Sequence, residues 1–111
     1  MPARVFPAAA AELSPSPLSD DQVVEGNPQV SALELLVEPD LEVGVWQHTQ
    51  GVSTDVEVDE VFVVLRGRAT IEIADGPTLE VGPGDVGVLR AGDATRWTVH
   101  EDLRKVYLVR G

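Results

Sequence analysis

The chain has 111 residues with 19 acidic against 8 basic side chains, a formal charge of −11, and no cysteine. That balance repels phosphate backbones and anionic lipid, so neither nucleic acid nor membrane is an expected partner, and without thiols there is no disulfide, thiolate metal site or cysteine nucleophile. One domain of this size buries about two thirds of its unfolded surface, enough for a core without crosslinks.

Residues 1–28 read as an arm. Pro2, Pro7, Pro15 and Pro17 surround the Ala8–Ala11 run, which is too short and too proline-broken for a secretory signal. No window approaches the ~18 apolar residues that a membrane span requires, so a cytoplasmic location is expected. The arm is either a flexible tail or an extended segment laid on a partner subunit. Residues 29–111 form the single folded domain.

From residue 30 the pattern becomes period-two alternation rich in β-branched residues, which predicts strands. We place them at 31–38, 41–48, 52–58, 60–65, 68–74, 78–81, 85–89, 95–100 and 103–110. The turns between them carry Pro39-Asp40, Gln50-Gly51, Asp75-Gly76-Pro77, Gly82-Pro83-Gly84 and Gly92-Asp93, each suited to reversing the chain. Short strands at this spacing mean an all-β sandwich or barrel. Alternation also assigns faces: Ala69, Ile71 and Ile73 turn inward, while Leu41, Val43 and Val45 oppose Glu42, Gly44, Trp46 and His48. With the valines taken as interior, Gln47 points into the barrel and His48 away from it. The 60–65 strand is apolar on both faces, Val61, Val63 and Leu65 against Phe62 and Val64, so it is expected to be covered on both; a homodimer supplies the second cover.

Gly82-Pro83-Gly84-Asp85 followed by Ala91-Gly92, with Glu60 and Gly67 at their mutual spacing, resembles the motif pair of the cupins. A longer series covers residues 41–109: Gly44-Val45-Trp46-Gln47, Asp59-Glu60, Leu65-Arg66-Gly67-Arg68, Trp97-Thr98-Val99 and Arg104-Lys105-Val106-Tyr107. It is similar to the small cupin domains of the (S)-ureidoglycine aminohydrolase type, a group that includes a manganese enzyme and a cupin of ethanolamine utilisation. The resemblance implies a cupin double-stranded β-helix, a jelly-roll barrel with an internal pocket. It departs at Arg90, where proline is usual, and at the metal-ligand positions. Thr54 and Val56, or Ser53 and Asp55, or Glu57 and Asp59, stand where histidines are expected, and Thr95 takes the place of the third. Transition metals prefer imidazole in sets of three or four protein ligands. No cofactor is therefore expected, with a divalent metal such as manganese as the alternative.

The same resemblance turns Glu60 into the barrel, where a carboxylate orients a ligand or acts as acid and base; otherwise it is a rim carboxylate paired with Arg96 or Lys105. Thr95 and Trp97 share a face and form one wall, the indole supplying an apolar plate and a donor. With Gln47, Phe62 and Tyr107 these complete the expected ligand-binding set, and Lys105 shares the Tyr107 face. Asp55 and Glu57 read as charges of a solvated strand edge. His100 reads as a solvated imidazole beside Glu101. Three functions stay open: a metal-free binder of a small polar metabolite, an enzyme using Glu60, and a partner protein whose outer sheet, with Trp46 and Val63, is the working surface.

Overall fold

The computed structural model describes residues 3–111. Nine strands account for nearly all its regular structure: β1 (Ser14–Pro15), β2 (Val23–Glu25), β3 (Val30–Glu38), β4 (Leu41–His48), β5 (Gly51–Val56), β6 (Glu60–Ile73), β7 (Thr78–Val81), β8 (Val86–Leu89) and β9 (Ala94–Arg110), with one 3-10 turn at Asp20–Gln22. All pairings are antiparallel. The sheet curls because β6 and β9 run beside each other along most of their lengths, while β9 meets β5 with its first half and β4 with its second.

Two pairs of expected strands are thus continuous, 60–65 with 68–74 and 95–100 with 103–110. The reason lies at Gly67, where the expected break is a bend. The β6–β9 register slips between Val64 and Ala69, and Gly67 sits at φ +89°, with no room for a Cβ against the Asp102 carbonyl. Bulges of this kind bend a strand without ending it.

The core is one cluster of Phe62, Val64, Ala69, Ile71, Leu89, Trp97, Val99 and Leu103. Ala69 and Ile71 face it, as alternation required. On β4 the assignment reverses: His48 is fully buried inside the barrel, and Trp46 packs against the core. Gln47 lies on the outer surface, accepting from Arg104 Nε at 2.9 Å and Arg66 Nη2 at 3.2 Å. The inward face of β4 is the less aliphatic one, and Val45 on the other face is also fully buried, so alternation shows which residues share a face without showing which face closes the barrel.

The arm lies on its own chain. Arg104, itself buried, donates through Nη1 to the carbonyls of Ala8, Ala9 and Ala11 at 3.0–3.1 Å. β1 then pairs with β3, and β2 with β5. Pro7, Pro15 and Pro17 fix φ along this segment, which suits a covering strap at sheet edges.

Candidate functional site

The interior of the barrel opens into a cavity of about 630 Å³. Its walls come from β4 (Trp46), β5 (Thr54, Asp55), β6 (Glu60) and β9 (Trp97, Lys105, Tyr107), with Glu57 at one end and Ser14–Leu18 of the arm along one side. Register explains the grouping. Trp46 is paired with Lys105 and Phe62 with Tyr107, so these side chains rise from adjacent strands on the same face.

Lys105 is the centre of the site. Its ammonium lies 2.6 Å from Glu60 Oε2, with side-chain exposures of 5% and 10%, which makes this a buried pair. The same Nζ sits over three rings, 4.5 Å from the centroid of Trp46 and 4.7 Å from those of Phe62 and Trp97. The rings contact one another, Trp46 to Trp97 at 5.5 Å and Phe62 to Trp97 at 5.9 Å. An ammonium enclosed by π faces and a carboxylate is attracted by both. The salt-bridge alternative for Glu60 is realised with Lys105; Arg96 turns outward to Glu72 instead.

Glu57, like His48 and Gln47, was misplaced by sequence reasoning. It is buried, and its Oε2 accepts from Thr95 Oγ1 at 2.7 Å and Trp97 Nε1 at 3.1 Å. Its backbone is pinned by the 91–93 turn, Glu57 N donating to the Asp93 carbonyl and Gly92 N to the Glu57 carbonyl. Desolvation pushes its carboxyl above the ordinary carboxylate value, partly opposed by those two hydrogen bonds. The legible signal was spacing: a carboxylate just beyond β5 is carried inward by the turn that pairs it with Gly92. Acidity alone suggested a solvated edge.

Tyr107 donates to Glu42 Oε2 at 2.8 Å, and its ring lies over Gly44, where any Cβ would overlap it. Burial first, then its bond to Glu42, pushes the hydroxyl well above its ordinary pKa. Of the expected ligand-binding set, Glu60, Trp97 and Tyr107 line the cavity directly. Thr95 orients Glu57, and Phe62 backs Lys105. Gln47 stands on the opposite side of the sheet. His48 is buried against Trp46, ring centroids 5.4 Å apart, with Nδ1 at 2.6 Å from the Thr49 carbonyl and Nε2 at 2.8 Å from Ser53 Oγ; the carbonyl requires Nδ1–H, so Nε2 accepts from the serine. Desolvation lowers its pKa. His100 is on the exterior, bonded to Thr70.

The residues present do not fit the manganese that the resemblance implies. Both nitrogens of His48 are engaged, Glu60 is held by an ammonium, and no three His, Cys, Asp or Glu side chains converge among the described residues.

Residues 40–107 match the model of the EutQ-like cupin domain. The chain belongs to that family. The cupin barrel expected from sequence is therefore its fold. Among solved structures, the EutQ protein of Clostridium difficile superposes with a TM-score of 0.75 at 20% identity, covering 96% of this chain and 85% of its own. A protein of unknown function from Rhizobium leguminosarum gives 0.76 at 25% identity over 98% and 97%. One from Pseudomonas syringae pv. tomato, also of unknown function, gives 0.80 at 27% over 90% of this cupin and 45% of that chain. No curated protein matches the sequence. No helix among the described residues is long and apolar enough to cross a membrane.

Proposed function

We propose that this cupin binds a small polar metabolite in its barrel, beside the buried Lys105 ammonium. The observation that carries this reading is the buried Lys105–Glu60 pair, ringed by Trp46, Phe62 and Trp97, on the wall of a 630 Å³ cavity. Ligand sites are concave, largely apolar and equipped with a few fixed polar groups, and this cavity has two indole plates, one cation and several carboxylates. The test is a thermal-shift screen of small amines, amides and carboxylates, on the wild type and on Trp97→Ala, beside elemental analysis. A ligand present at about a hundred times its Kd raises stability by about 2.7 kcal/mol, and the variant should lose that response. Stoichiometric manganese, iron, nickel or zinc in the purified protein would overturn the metal-free reading.

A second reading is an enzyme of the aminohydrolase-like type. Its support is the raised pKa of Glu57, since a carboxyl so displaced at a cavity wall is suited to giving and taking protons. In that case Glu57 is the acid–base group, and Glu60 positions Lys105. For the oligomer we propose a homodimer. Val61, Val86, Val88 and Leu108 lie on neighbouring strands of the outer face, each more than a third exposed.

A further inference from the structure

Every buried side-chain nitrogen and oxygen among the described residues has a hydrogen-bond partner, but two groups on the cavity wall keep spare hydrogen-bonding capacity that a ligand can use. Lys105 Nζ carries three donors, and Glu60 is its one oxygen partner among the described residues. The remaining two N–H groups lie among the three ring faces at the cavity wall, in a side chain 5% exposed. Buried donors ordinarily find acceptors. Glu57 has the complementary capacity: both of its protein hydrogen bonds fall on Oε2, and Oε1, open to solvent, has no protein donor among the described residues. These two groups flank one side chain. The Trp97 ring centroid lies 4.7 Å from Lys105 Nζ, and its Nε1–H points to Glu57.

We infer that the ligand is a small molecule without net charge, carrying an oxygen acceptor at one end for Lys105 and an N–H donor at the other for Glu57, with its carbon chain lying on the Trp97 indole. The inference rests on the proposed role of the barrel as a polar-ligand site and narrows it to a chemical class. Charge decides between the alternatives. A plain carboxylate would meet Lys105 but also the Glu34, Asp55, Glu57 and Glu60 side chains on the same walls. A plain ammonium would suit those carboxylates but leave the Lys105 donors unmet and face a like charge. A zwitterion or an amide satisfies both ends at once.

The two indole N–H signals of Trp46 and Trp97 in a ¹H–¹⁵N spectrum report occupancy directly. Probes are glycine, β-alanine and 4-aminobutyrate, each titrated beside the amine and the carboxylic acid of matching chain length. At least one zwitterion should bind about tenfold more tightly than either of its matched compounds. Exchanging Lys105→Met together with Glu60→Gln removes the ion pair without stranding a charge, and it should erase the advantage over the amine. Glu57→Gln should erase the advantage over the acid, and serves as the independent variant if the double exchange loses spectral dispersion. Amines that match the zwitterions at every length, or an advantage that survives these exchanges, would overturn the assignment while leaving the barrel a ligand site. Silence of both indole signals towards all nine probes would count against the inference and the binding function together.

Discussion

Lys105 and Glu60 illustrate how one pair can be read in opposite ways. A buried ion pair is weak evidence for stability, because desolvating two charges offsets most of their attraction. Here three rings and a cavity surround the pair, the arrangement on which the proposed ligand site rests. Glu57 and His48, both buried, make an opposed pair in pH. Glu57 has a folded pKa raised above its ordinary 4.5, so the unfolded chain releases the proton first and stability falls as pH climbs from 4.5 through the folded value. His48 has a folded pKa lowered below 6.5, so the unfolded chain takes the proton first and stability falls as pH drops from 6.5. Each contributes a slope of at most about 1.4 kcal/mol per pH unit. Urea denaturation from pH 4.5 to 8 should show Glu57→Gln gaining on the wild type as pH rises, and His48→Gln gaining as pH falls. Differences that stay flat across this window would mean that neither group is desolvated as described.

At the scale of elements, β6 and β9 organise the barrel because each bends without breaking. The slip in their register at 64–69 lets one half of β6 pair with β8 and the other with β7. Gly67 is the residue that permits it: its φ of +89° and its approach to the Asp102 carbonyl both exclude a side chain. Gly67→Ala should therefore destabilise the fold by about 1–3 kcal/mol from backbone strain alone, with a further loss from displacing β9. The measurement is the urea midpoint at constant slope. A near-neutral effect would place the bend elsewhere. The strands themselves were legible from alternation and from turn chemistry. Their continuity was not, since Arg66-Gly67-Arg68 and Glu101-Asp102 have the composition of turns, and only pairing along the full length of both strands turns them into bulges.

For the molecule as a whole, the arm and the outer sheet determine what the barrel can do. Ser14–Leu18 closes one side of the cavity, and Arg104 fixes the preceding segment through three carbonyls. The outer face of β6, β8 and β9 keeps Val61, Val86, Val88 and Leu108 exposed, an apolar group on a chain of charge −11 whose repulsion otherwise favours separation. A second copy covering this face should give twice the chain mass in sedimentation equilibrium. Val88→Glu should shift the population to monomer while leaving the dispersion of the indole signals unchanged. Monomeric wild type at high micromolar concentration would remove the dimer.

What the amino-acid sequence determined by itself was the architecture and part of the site. Period-two alternation, glycine and proline turns and the motif spacing around Glu60, Gly67 and Gly84 specify a rolled β barrel, and they bring Glu60, Trp97, Lys105 and Tyr107 to one side of their strands. The tertiary structure decided which side is inside. On β4 the more aliphatic face lies outside the barrel, so Trp46 and His48 were exchanged with Gln47 only by the closure of the barrel. Likewise Glu57 became a buried acceptor, rather than an edge charge, because the 91–93 turn folds it against Trp97. Faces and acidic runs are local properties of a strand, whereas burial depends on what packs against it, and that partner is supplied by residues about forty positions away.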